Sequence, residues 1–101
     1  MPQARELILL SAAGATGSSA TWGGGYGVFY CTGTFGSGTV KLQASYDNGT
    51  TWLDVDKSPD TYVTFTANGH GEFTLPPCLV RANVSGATGA SLNAGIRGTT
   101  E

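Results

Sequence analysis

Four aspartates crowd the middle of the chain, Asp47, Asp54, Asp56 and Asp60, and carboxylate oxygens at that density are what a calcium ion takes as ligands. Their spacing is not that of an EF-hand loop. Acidic residues along a solvated hairpin edge give the same pattern and discourage edge-to-edge pairing, so no metal site is expected. Two carboxylates can also hydrolyse a glycosidic bond, but so short a chain suggests no open cleft for one. His70 is the only histidine. It sits in Asn68-Gly69-His70-Gly71 without a carboxylate or cysteine spaced to complete a triad or a metal site, and reads as a surface loop residue. No serine stands in a Gly-x-Ser-x-Gly elbow, and none has a base and orienting acid in sight. The stretch GATGSSATWGGG has neither the lysine nor the following helix with which a glycine-rich loop holds phosphate. No catalytic residue and no cofactor is therefore expected.

Residues 45–52 read SYDNGTTW, and Ser45-x-Asp47-x-Gly49-x-Thr51-Trp52 resembles the Asp-box of sialidases and other β-propellers. A propeller needs roughly four to eight blades of four strands. The 101 residues of this chain would build about two such blades, so the motif has to be understood without that scaffold. Asp47 is suited to capping the turn with its side-chain oxygens, Gly49 to a backbone conformation other residues resist, and Trp52 to packing against the hairpin. Those are roles in folding.

The elements that must position these residues are strands. Only 12% of the residues are charged, 40% are hydrophobic and 16 are glycine, a turn-rich β composition with enough apolar material for a thin core. No stretch of ten residues shows helical periodicity free of Gly, Pro or β-branched clusters. Strands are expected over Leu7 to Leu10, Tyr26 to Phe35, GTVKLQASY, TWLDV, TYVTFTA, GEFTL, CLVRANVSG and ASLNAGI. Alternation puts Val40, Leu42 and Ala44 inward and Lys41, Gln43 and Ser45 outward. By the same rule Leu53 and Val55 share one side, Val63 and Phe65 alternate with threonines, and Val80, Ala82, Val84, Leu92, Ala94 and Ile96 point inward. Asn48-Gly49 supplies the positive φ angles of a hairpin, and Gly86-Ala87-Thr88-Gly89 reads as a second tight hairpin.

Seven or eight short antiparallel strands in one domain predict an all-β sandwich, immunoglobulin-like or jelly-roll. Its expected parts are an N-terminal strand with a Gly/Ser/Ala-rich arm, residues 1–22, and the sandwich proper, residues 23–101. The opening MPQARELILLSAAGA imitates a signal peptide poorly, since Glu6 abuts a short apolar run, and is better suited to a strand. Cys31 and Cys78 fit no metal motif and are expected as free thiols. The net charge of −2 with five scattered Lys and Arg argues against nucleic acid, and no apolar run reaches the ~20 residues of a membrane helix.

Two stretches, GTFGSGTVKLQASYDNGTTWLDVD (33–56) and LPPCLVRANVSGATGASLNAGI (75–96), together resemble small virion structural proteins of tailed bacteriophages. The shared pattern is Gly-Thr-Phe, Val-x-Leu-Gln, Ser-x-Asp-x-Gly-x-Thr-Trp and Leu-Pro-x-x-x-x-Arg, and it covers about half of the chain. The resemblance implies a non-enzymatic capsid decoration or cement protein. Such a protein is made in the bacterial cytoplasm, binds the major capsid protein on the head surface and assembles as a homo-oligomer, a trimer. The pattern carries no catalytic residue. Pro77-Cys78 departs from it, because the family has a small or glycine-containing turn there. The expected partner contacts are the arm Met1 to Trp22, the aromatics Trp22 and Tyr26, and the loop Asp56 to Tyr62. The competing class is a tail-fibre or carbohydrate-binding module in which Trp22, Tyr46, Trp52 and Tyr62 form a stacking platform.

Overall fold

The computed structural model describes residues 3–55 and 63–100. Among them are nine strands and no helix: β1 (Gln3–Ala13), β2 (Ala20–Trp22), β3 (Gly25–Thr34), β4 (Thr39–Ser45), β5 (Leu53–Asp54), β6 (Thr64–Phe65), β7 (Gly69–Leu75), β8 (Cys78–Ser85) and β9 (Ser91–Thr100). One sheet has the order β1-β9-β3-β7 and the other β2-β8-β4-β5, with β6 also on β4. The Val55 N–H donates to the Leu42 carbonyl and the Leu42 N–H to the Val63 carbonyl, each at 3.1 Å. β5 and β6 therefore meet the same edge of β4 on either side of Leu42, as one interrupted strand.

The pairing is nested: β1 with β9, β2 with β8, β3 with β7, and β4 with β5, all antiparallel. This is one long hairpin whose tip is the turn between β4 and β5. Rolling it up sends neighbouring parts of the chain to opposite sheets, and it brings β9 against β3 and β8 against β4. The result is a jelly roll. The immunoglobulin arrangement differs because its first two strands share a sheet.

Two local expectations, at Gly86 to Gly89 and at Leu53, are corrected. Residues 3–22 supply an edge strand to each sheet, since β1 pairs with β9 from Gln3↔Thr100 to Ala13↔Leu92 and β2 pairs with β8. Gly86 to Gly89, expected as a hairpin, is a corner that carries the chain from β8 in one sheet to β9 in the other. Both glycines have positive φ, 70° and 64°, as a tight turn requires. Alternation reveals which side of a strand is buried but not which sheet the next strand joins. Leu53, expected on the same side as Val55, is 53% exposed, whereas Val55 packs against the core. β5 pairs through only two residues at a sheet edge, and its side chain projects past the rim.

The core forms where the two inner faces meet. Phe29, Cys31, Leu92, Ala94 and Ile96 of the first sheet oppose Val40, Leu42, Val80 and Ala82 of the second, each exposed by 1% or less. These are the positions alternation singles out on β4, β8 and β9, with Val84 only half-buried. Trp22 is the largest of the fully buried side chains, and glycines make room for it. Gly27 of β3 stands opposite Gly98 of β9, and a Cβ on either would lie 2.9 or 2.6 Å from the indole Cη2. The paired glycines open a trough in the first sheet that receives an indole from β2. Phe73 closes it, with ring centroids 5.3 Å apart and planes tilted by 55°.

Candidate functional site

The SYDNGTTW turn at the tip of the long hairpin brings its five motif residues together. Ser45, the last residue of β4, is buried. Its hydroxyl donates to Asp47 Oδ1 and accepts the Gly49 N–H, both at 2.8 Å. Asp47 Oδ1 also accepts the Thr51 N–H at 2.8 Å. That backbone donor is the main reason the Asp47 carboxyl lies below the usual carboxylate range, with the Thr51 and Ser45 hydroxyls adding to it. Asn48 and Gly49 have φ of 62° and 91°, the left-handed region that Asn and Gly tolerate best. Trp52 is half-buried, and the Arg81 guanidinium lies 4.4 Å from its ring centroid. Asp47 faces the turn's own backbone, where it satisfies donors.

The neighbouring carboxylate is also engaged. Asp54 accepts from Gln43 Nε2 at 2.9 Å and pairs with Lys41 Nζ at 3.3 Å, while Arg81 Nε donates to Gln43 Oε1 at 2.9 Å. Lys41, Gln43, Asp54, Arg81 and Trp52 thus form a continuous polar ladder across β4, β5 and β8. Ion pairs of this exposed kind contribute little to stability individually. Among the described residues no three of His, Cys, Asp and Glu come close enough to hold a metal ion. Asp56 and Asp60 lie outside those residues. His70 is exposed on β7, opposite Tyr30 in register. Cys31 and Cys78 are free, one buried and one half-buried, and burial pushes the Cys31 thiol up to about 11.

Of the three aromatics expected at a partner contact, Trp22 is 1% exposed in its trough and presents no surface. Tyr26 is on the surface at 48%. Tyr62 lies outside the described residues, as does the whole of the expected contact loop Asp56 to Tyr62. The stacking platform is not assembled either, since Trp22 is in the core and Trp52 is covered by Arg81. Tyr46 of that set is exposed, and it lies near Tyr26 instead. Tyr26, Tyr46 and Leu53 are three of the four exposed large hydrophobic residues among the described residues. All three line an open groove of about 450 Å³ between the β7 edge of one sheet and the β5 edge of the other, together with Glu72, Thr74 and Leu75. Sequence reasoning misses this groove because it joins two sheet edges that are distant in sequence.

No family model matches this chain, and no curated protein sequence does. Among solved structures, the crystal structure of SPBc2 prophage-derived protein YomS superposes with a TM-score of 0.71. The match covers 99% of this chain and 96% of that one, at 16% sequence identity. The chain has the fold of a prophage-derived protein. At this identity the likeness is one of fold, and it extends nearly end to end in both molecules.

Proposed function

We propose that this protein is a non-enzymatic structural component of a tailed-phage virion that docks on the outside of the head shell as a homotrimer and stabilises it. The observation that carries the reading is the nearly full-length likeness to a prophage-derived protein, which joins the phage-type pattern already present in the sequence. The jelly roll is also an architecture of viral capsid and lectin domains, a support of fold-level analogy only. The polar residues of the most motif-like segment are occupied with one another, as a scaffold element requires.

The shell contact in this proposal centres on β1. That strand is a free edge of the four-stranded sheet, its pairing with β9 is interrupted between Ile8 and Leu10, and Ile8 is 60% exposed. An apolar side chain on an unpaired edge is a surface that natural sheets otherwise protect. The contact expected of a flexible arm is thereby assigned to an ordered edge strand. A closed trimer would repeat that one contact around a symmetry axis of the shell.

The test is co-sedimentation of the purified protein with head shells of the encoding phage that lack it. Saturable binding, lost in Ile8→Asp while the free protein's melting midpoint is unchanged, is the expected result. A ligand that binds only the intact shell must also raise the temperature at which the shell fails. Binding to isolated tails but not to shells would overturn the reading.

A further inference from the structure

We infer that the groove between the β7 and β5 edges is a binding site for a neutral oligosaccharide. The inference is independent of shell docking, because β1 and β7 are opposite edges of the same sheet.

Charge narrows the ligand first. Among the described residues no lysine, arginine or histidine lines the groove, whereas Glu72 and Asp54 both do. Asp54 is neutralised by Lys41. Glu72 is exposed, without an ion-pair partner among the described residues. Phosphate, sulfate or sialic acid groups would face the Glu72 carboxylate with no cation among the described lining residues, so an anionic ligand is disfavoured.

Shape and lining narrow it further. The volume of about 450 Å³ falls within the ~300–1,000 Å³ of ordinary ligand sites, and the groove is open to solvent, so a ligand longer than the groove can extend beyond it. Tyr26 comes from β3 of one sheet and Tyr46 follows β4 of the other, so an aromatic ring stands on each side. An exposed tyrosine offers an apolar face and a polar tip, the complement of a pyranose with its C–H face and hydroxyl rim. The Glu72 carboxylate is an acceptor for ligand hydroxyls and the Thr74 hydroxyl can both give and accept. Exposed aromatics interleaved with uncommitted polar groups are what a hydroxyl-rich, uncharged chain requires. A peptide added as a strand to β7 would instead bind mainly through its backbone.

The test uses an array of neutral and anionic oligosaccharides, followed by titration of the best neutral binder into isotopically labelled protein. At least one neutral oligosaccharide is expected to bind, with shift changes confined to the groove. Tyr26→Ala and Tyr46→Ala should each weaken it by about tenfold or more, with melting midpoints unchanged because both rings are exposed. Ile8→Asp should leave glycan affinity intact, so failure of the shell reading and failure of this one are separable. Failure of every neutral glycan to bind, binding of anionic glycans alone, or affinity indifferent to both tyrosine substitutions would overturn the inference.

Discussion

Placing a methyl group in the trough under Trp22 tests the packing account directly. In Gly98→Ala the new Cβ would sit 2.6 Å from the indole Cη2, 3.2 Å from Cζ3 and 3.0 Å from the Tyr26 carbonyl oxygen. Gly98 does not have a positive φ, so its backbone accepts alanine and the cost is steric. The indole has no room to retreat, being fully buried and held by Phe73. Overpacking of this kind costs about 1–3 kcal/mol, while the loss of glycine's freedom in the unfolded chain returns about 0.4–1 kcal/mol. Central values leave a net destabilisation of about 1.3 kcal/mol, which for a domain of this size lowers Tm by roughly 5 to 10 °C. Urea unfolding followed by fluorescence and circular dichroism measures it. Trp22→Phe removes the clashing part of the ring, so the double variant should recover part of the loss, with a coupling of ~0.5 kcal/mol or more. An unchanged midpoint in Gly98→Ala, or strict additivity with Trp22→Phe, would refute the trough argument.

Other consequences follow from the same geometry. Ser45→Ala removes the part-buried bond to the Gly49 N–H and should cost about 0.5–1.5 kcal/mol, read by the same unfolding curves. Gly49→Val forces a β-branched residue to a φ of 91° and should lower the melting midpoint more than an ordinary surface change does. The Asp47 carboxyl is depressed in the folded state, so the unfolded chain binds its proton first. The stability this residue contributes is thus present above the ordinary carboxylate range and lost as pH falls through the folded value. The difference in melting midpoint between wild type and Asp47→Asn should accordingly shrink on acidification, and a difference that grows would contradict the assignment. Near pH 8 a thiol reagent should modify half-buried Cys78 well before Cys31, whose thiol is buried and shifted to about 11; mass spectrometry of the native protein gives the order.

The sequence made the strand content and most of the core legible for a simple reason. Val40, Leu42 and Ala44, and later Leu92, Ala94 and Ile96, alternate with polar residues, and period-two burial follows from the pleat. What it left hidden was relational. Trp22 sits among small residues and looks like a loop aromatic until Gly27 and Gly98, far apart in the chain, are seen paired beneath it. Gly86-Ala87-Thr88-Gly89 has the chemistry of a hairpin turn, and the same chemistry serves a corner between sheets. The hydrogen bonds of SYDNGTTW were foreseeable because they are local, running between residues two to four apart. The groove was not, because Tyr26, Tyr46 and Leu53 meet only once the long hairpin is rolled and its two edges face one another.

The central claim is a location, and imaging the virion measures it most directly. Electron cryomicroscopy of the encoding phage should show a jelly roll of this shape on the outer surface of the head shell, in closed groups of three, with the β1 edge against the shell. Density for the chain at the tail tip, with none on the head, would contradict the account.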